Sequence, residues 1–280
     1  MSSTLSRVWS SLLAKLSFAP WQRAYVEAVR GRRGLEIGGP SAIFRRGKVL
    51  PLYGAVAALD CSNFAAETLW STGTAPDQGF QFAADKPTGK QFIREATDLF
   101  GIGNGTYDFV LASHVLEHVA NPFKALAEIA RVTTRGGALI LVLPHRQGTF
   151  DHKRPVTCLS HLIEDLEKGT AEDDVTHLDE WLRLVDLERA PEAKPFEAFR
   201  QRSLRNLENR GMHHHVFDTA LSIAMIDRAG LQIVSVDHAQ PCHIFILAKH
   251  ASTVNNAAFL SPQAPMYDKS PFSSDRNGDS

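Results

Sequence analysis

Cysteine is scarce in this sequence. Cys61, Cys158 and Cys242 are the only three in 280 residues, and none lies at the paired spacing of a zinc-thiolate site or a disulfide framework. They read as reduced thiols in a cytoplasmic protein. Long apolar runs are also missing: no stretch approaches the roughly 18 to 20 residues that cross a bilayer, so no transmembrane helix is expected. Neither sign of charge dominates, since 30 Lys and Arg face 31 Asp and Glu for a formal net charge of −1. A global nucleic-acid-binding charge is therefore absent. No internal repeat is visible.

What the chain has is an ordinary globular balance, 44% hydrophobic and 22% charged, which is enough for a sizeable core. Residues 1–30 read as a helical segment. Leu5, Val8, Trp9, Leu12, Leu13 and Leu16 recur at helical spacing, Pro20 ends or kinks the run, and a second stretch reaches Arg30. Arg7 and Lys15 interrupt its apolar character and no small-residue cleavage site follows, which argues against a secretory signal. Docking on the following domain is the favoured reading, and peripheral contact with a membrane surface is the alternative.

Short runs rich in Val, Ile and Leu follow at 35–37, 56–60, 91–97, 108–113, 138–143, 231–237 and 243–249, the pattern of strands buried on both faces. Residues 122–134 form a helix: Asn121 is the N-cap, Pro122 takes the first position, and Gly136-Gly137 is the stop signal. A further helix at 220–229 precedes the sixth strand. The alternation predicts an α/β fold, a Rossmann-like doubly wound seven-stranded sheet, mostly parallel with an antiparallel last strand. Residues 151–219 interrupt it with charged, helical patches and read as a helical insertion or lid within a domain spanning 31–250. Residues 251–280, rich in Ser, Pro, Asn and Asp, read as a mobile tail.

The chemistry concentrates at strand ends. Glu36-Ile37-Gly38-Gly39 closes the first strand with a carboxylate and two glycines, where a ligand can press against bare backbone. Its bland alternative is an ordinary strand-to-loop turn. Asp60 ends an apolar second strand, where a carboxylate can accept both hydroxyls of a ribose. Asp98 before Leu99 is either a site residue or the Asx-turn opening the loop at 101–105. Ser113 and His114 end the fourth strand on the ligand side of such a sheet. Twelve histidines are present, and His145 also follows a strand. A histidine cluster with Asp could hold a metal. Three consecutive histidines, His213 to His215, cannot all point to one site from a strand, so no metal is assigned.

Taken together these residues resemble the class I S-adenosylmethionine-dependent methyltransferases. Glu36 to Gly39 is similar to that family's first cofactor motif, Asp60 to its ribose-binding carboxylate, and Asp98-Leu99 to its adenine-side motif. The stretch from Tyr107 through Ser113-His114 to Glu117-His118 resembles the fourth-strand signature of small-molecule members such as those of quinone biosynthesis. Arg135-Gly136-Gly137 resembles the turn before the fifth strand. The likeness covers about residues 30–150 and 215–250. One departure is Pro40 in place of a loop residue bearing an N–H, so the loop path differs locally.

The resemblance implies S-adenosylmethionine as cofactor, held by Glu36, Gly38, Gly39, Asp60, Asp98, Leu99, Ser113 and His114. It also implies methyl transfer to a small-molecule acceptor, and O-methylation is the expected outcome. A histidine suits proton removal at neutral pH, with His145 the first candidate and His118 the second, on strand-end placement. No Asn-Pro-Pro-Tyr follows the fourth strand, which disfavours the DNA amino-methylating enzymes. A catalytically silent binding protein of the same fold and a metal-assisted transferase stay open. A nicotinamide-dependent oxidoreductase is less well supported, because the third glycine of Gly-x-Gly-x-x-Gly is missing. Oligomeric state is not legible.

Overall fold

The computed structural model describes residues 18–70, 79–190 and 195–277. The helical spacing expected over residues 5–16 lies outside them. The first described helix, α1 (Gln22–Val29), leads into β1 (Arg33–Ile37), β2 (Ala58–Asn63), β3 (Gln91–Ile93) and β4 (Tyr107–Ser113). Helix α2 (Pro122–Val132) connects β4 to β5 (Thr133–Pro144). Four helices follow: α3 (Leu159–Lys168), α4 (Leu178–Leu184), α5 (Phe196–Ser203) and α6 (Asn206–Asn209). Then come α7 (Thr219–Arg228), β6 (Gln232–Ala239), β7 (His243–Lys249) and three short helices, α8 (Ala257–Leu260), α9 (Pro265–Lys269) and α10 (Ser273–Asn277).

The seven strands form one sheet in the order β3-β2-β1-β4-β5-β7-β6, and β7 alone runs against the others. This is the expected Rossmann-like sheet. Its order reverses between β1 and β4, which opens a crevice beyond their carboxyl ends. Alternation along the strands fills both faces. Val110, Leu139, Leu141 and Ile246 meet Leu126, Ile129 and Ile226 of α2 and α7, whereas Phe109, Leu111, Ile140 and Phe245 meet Tyr25, Val26 and Val29 of α1. Among the described residues no helix is long and apolar enough to cross a membrane.

Asn121 caps α2 as its residue type dictates, its Oδ1 accepting the Lys124 amide at 3.0 Å. The helix ends before the glycine pair, however. Thr133 is already extended at φ −85° and ψ 136°, and β5 begins there. Consecutive β-branched threonines favour strand over helix. Tyr107 pairs with Thr133 and Phe109 with Ala138, so the glycines sit in the register shift between those pairs.

The C-terminal segment expected as a mobile tail is docked. Asn256 accepts the Ile233 amide at 2.8 Å and donates to the Leu231 carbonyl at 2.9 Å. Met266 and Phe272 are buried. The Phe272 ring stacks on His145 with centroids 3.9 Å apart and planes 6° from parallel. Asp275 binds His145 Nε2 at 3.1 Å and the Thr219 hydroxyl at 2.7 Å. Polar composition suggests disorder only where the polar groups lack partners, and here a few specific pairs anchor a few apolar side chains. Phe272→Ala is expected to lower stability by about 3 kcal/mol, read as an earlier urea unfolding midpoint. An unchanged midpoint would contradict the docked segment.

Candidate functional site

The first turn is shaped from below. Glu36 is fully buried, its Oε1 accepts the Ser41 amide at 3.0 Å, and the Tyr53 hydroxyl lies 2.8 Å from Oε2. Burial pushes this carboxyl up, against the opposing pull of Ser41 and Tyr53. The backbone from Gly38 to Ser41 therefore wraps over the Glu36 side chain. Gly38 takes φ +76°, and a Cβ on Gly39 would lie 2.5 Å from Glu36 Cδ. Gly38 also hydrogen-bonds across to β2, its amide donating to the Ser62 carbonyl at 2.9 Å.

Above this turn lies a cavity of about 630 Å³, within the size range of small-molecule sites. Of the residues nominated from the sequence, Gly38, Gly39, Ser113 and His114 line it. Four expectations are corrected. Glu36 lies beneath the turn, where its oxygens are committed to Ser41 and Tyr53. Asp60 sits in the middle of β2 opposite Leu35 and not at the strand end. Its oxygens are taken by Arg33 Nη2 at 2.7 Å, the Tyr107 hydroxyl at 2.8 Å and the Lys90 amide at 2.8 Å. Asp98 is exposed and accepts the Phe100 amide at 3.1 Å, which is the Asx-turn alternative. Leu99 is buried in the core.

The crevice positions at those two strand ends belong to other residues. Strand β2 continues to Ser62 and Asn63, both lining the cavity, because Ile37 pairs with Ser62 and carries the register past Asp60. Asn63 donates to the Gly39 carbonyl at 3.1 Å and thereby ties the second strand end to the first turn. Beyond β3 the cavity is lined by Arg94, Glu95 and Ala96, short of Asp98. Sequence signals for these residues were weak, since an amide three positions past an aspartate carries no motif of its own.

A second cavity of about 430 Å³ adjoins the first, and the two share Trp70, His114 and His118. Phe150, Trp181 and Phe199 form much of its wall, with His213 among them. His114 takes φ +54°, a strained value for a residue with a Cβ, held by its amide bond to the Val142 carbonyl at 2.9 Å. Its Nε2 lies 2.9 Å from His243 Nδ1. His118 lies 3.2 Å from the Met212 carbonyl through Nδ1. Burial, reinforced by nearby His213 and opposed by Glu117, depresses its pKa to about 3, so its ring is neutral.

His145, the first candidate base, does not reach either cavity. It is fully buried, its Nδ1 accepts the Gln147 amide at 3.1 Å, and its Nε2 is held by Asp275. Strand-end placement alone missed the strand's next partner, the docked C-terminal segment. His213 lines the second cavity beside His114 and His118, with its Nδ1 2.5 Å from Asp151 Oδ2. Burial disfavours charge on Asp151, but His213 and Arg154 outweigh that and hold the carboxyl below its usual range. Arg154 is itself buried, pairing with Asp151 at 2.9 Å and Glu180 at 2.8 Å and donating to the His213 carbonyl at 3.0 Å.

Between the cavities Glu117 is fully buried, and among the described residues neither of its oxygens makes a hydrogen bond. His114 Nδ1 lies 3.3 Å from Oε1 without hydrogen-bond alignment. Donor atoms of Glu117, His118 and His213 all lie within 4.8 Å of one another, a set able to hold a divalent cation.

Residues 49–141 match a family model described as a methyltransferase domain. An "uncharacterized methyltransferase" of Mycobacterium ulcerans is 30% identical over 124 residues, covering 43% of this chain and 42% of that protein. One of Mycobacterium marinum matches with the same identity and coverage. The chain thus aligns with less than half the length of these curated relatives. Among solved structures, an S-adenosylmethionine-dependent methyltransferase from Mesorhizobium loti is 13% identical with a TM-score of 0.47, covering 82% of this chain and 96% of that one.

The geometry separates two residues that sequence alone confuses. Asp60→Asn is expected to lower stability by about 1–3 kcal/mol and leave S-adenosylhomocysteine affinity within about threefold, a change of under 1 kcal/mol. Asn63→Ala is expected to weaken that affinity about fivefold, the scale of one hydrogen bond of roughly 1 kcal/mol. Equilibrium dialysis reads both, and the opposite ranking would return the ribose role to Asp60.

Proposed function

We propose that this protein is an S-adenosylmethionine-dependent methyltransferase that O-methylates a small molecule. One observation carries the reading: two cavities meet at the carboxyl end of β4, one over a glycine turn and one walled by aromatic rings. The methyltransferase-domain match and the motif resemblance support the cofactor. The first cavity fits it in chemistry. Bare backbone at Gly38 and Gly39 would accommodate the amino-acid end, Asn63 would meet the ribose, and Arg94 to Ala96 would border the adenine. S-adenosylmethionine supplies a methyl group already activated on a sulfonium.

The protein's own contribution is placement and proton removal. Aligning an acceptor oxygen with the methyl contributes on the order of 7 to 11 kcal/mol in favourable intramolecular models. The second cavity holds the acceptor against Phe150, Trp181 and Phe199, a size and lining suited to a flat hydroxylated molecule. His213 is the base. Asp151 takes the Nδ1 proton side of its ring, which leaves Nε2 to accept the acceptor's hydroxyl proton as the O–CH₃ bond forms. Neutral His118 lines the same junction and packs its ring on His213, centroids 4.5 Å apart. Trp181, Phe199 and His213 all come from residues 151–219, so that insertion closes the acceptor site and excludes water.

A metal-assisted transfer is the second reading, favoured by the buried Glu117 carboxylate, which makes no hydrogen bond among the described residues and lies beside His118 and His213. A buried carboxylate without hydrogen bonds is costly, and a divalent cation there would lower the pKa of a bound hydroxyl.

Transfer of labelled methyl from S-adenosylmethionine to a panel of small phenols and catechols tests the function. His213→Ala is expected to lower kcat by roughly a hundred- to ten-thousandfold with S-adenosylhomocysteine affinity retained. Activity that survives this substitution removes His213 as base. Loss of activity on chelation, restored by a divalent cation and abolished by Glu117→Gln, selects the metal-assisted route.

A further inference from the structure

A second cluster of histidines, away from both cavities, has no part in that chemistry. His161 lies on α3, His177 precedes α4, and His215 lies on the segment leading to α7. One ring nitrogen from each lies within 4.8 Å of the other two. His161 Nε2 and His177 Nε2 are 2.9 Å apart. Asp165, one turn beyond His161, brings Oδ2 to 3.4 Å from His161 Nε2 and 3.8 Å from His215 Nε2. Four donors bound to one zinc-sized ion at about 2.1 Å in tetrahedral geometry stand about 3.4 Å from each other. The separations here bracket that value.

We propose that His161, Asp165, His177 and His215 form a structural divalent metal site of the zinc type, closed by three imidazoles and one carboxylate. A further observation points to a ligand. Asp165 is 7% exposed, and its Oδ2 has no hydrogen-bond partner among the described residues. The other oxygen is fixed, since Oδ1 accepts the Thr170 hydroxyl at 2.9 Å, and the Asp165 carbonyl accepts from Asn121 Nδ2 at 2.8 Å. The carboxylate is thus held rigid with one oxygen aimed at the histidines, the arrangement in which outer partners orient a metal ligand. His215 is 1% exposed, so its ring is held inside the cluster. Its Nε2 has one competing contact, the Ala120 carbonyl at 3.3 Å.

The donor set selects the ion. Three imidazoles with one carboxylate and no thiolate suit zinc and its first-row neighbours, not calcium or magnesium, which prefer all-oxygen shells. With four protein donors no position is left for substrate, so the ion's role is mechanical. It joins α3 and the start of α4 to the segment carrying His213, two residues before His215. That segment rests on the back of the junction between the cavities, where the His214 amide donates to the Glu117 carbonyl at 2.7 Å. Loss of the ion would loosen the segment that aims His213.

The test uses the full chain, prepared without a metal-binding tag, stripped with chelator and titrated with zinc(II) or cobalt(II) alone. The wild type is expected to take up zinc tightly, to melt several degrees higher with it, and to give the intense visible bands of tetrahedral cobalt(II). His161→Ala and His177→Ala alter half-buried positions, and circular dichroism checks their fold. Each is expected to lose the cobalt bands and the thermal shift, whereas Glu117→Gln, beside the cavities, keeps both. Wild-type protein that shows neither cobalt bands nor a zinc-dependent melting shift overturns the proposal. So does metal uptake that survives His161→Ala and vanishes with Glu117→Gln, because it places the ion elsewhere.

Discussion

A single buried carboxylate sets the shape of the site. Glu36 enters the core at the end of β1 because strand periodicity and the parallel register leave it no solvent-facing alternative, and burying it bare would cost several kcal/mol. Ser41 and Tyr53 meet that demand, and they do so only if the chain doubles back over Glu36 at Gly38 and Gly39. A side chain at Gly39 would collide with the group that the turn exists to cover. The cradle for a ligand is thus the outer surface of a fold-stabilising turn. Its stability and its binding function rest on the same few atoms.

The rest of the site follows from the switch in strand order. Because β1 lies between β2 and β4, their carboxyl ends bring Gly38, Asn63 and His114 to one crevice. The chain returning from β5 then adds a wall that the sheet alone does not provide. Asp151 and Arg154 leave β5, pair with each other, and bind His213 through its ring and its carbonyl. A residue 62 positions downstream is in this way fixed against the fourth strand's end.

Legibility in the sequence tracked how local each signal was. Strands β4, β5 and β7 and helix α2 were readable because periodicity and capping act within a few residues. That Gly38, Gly39, Ser113 and His114 stand at strand ends was readable for the same reason, each sitting where a local pattern breaks. Asp60 and Asp98 were misread because both are acidic residues near strand ends, and only register decides which position faces the crevice. Strand β2 runs three residues beyond Asp60, and that extension is set by pairing with β1, not by composition. His145 failed differently. Nothing local marks it as buried under Phe272 and Asp275, which lie more than 120 residues later and looked like tail.

Binding of the cofactor product is the most direct test of the central claim. Titration calorimetry of the full chain with S-adenosylhomocysteine, run beside NAD, separates a methyltransferase cavity from a nicotinamide one. Saturable one-site binding of S-adenosylhomocysteine, with no heat from NAD, is the predicted result. Binding of NAD instead, or binding of neither by protein shown to be folded, would contradict the account.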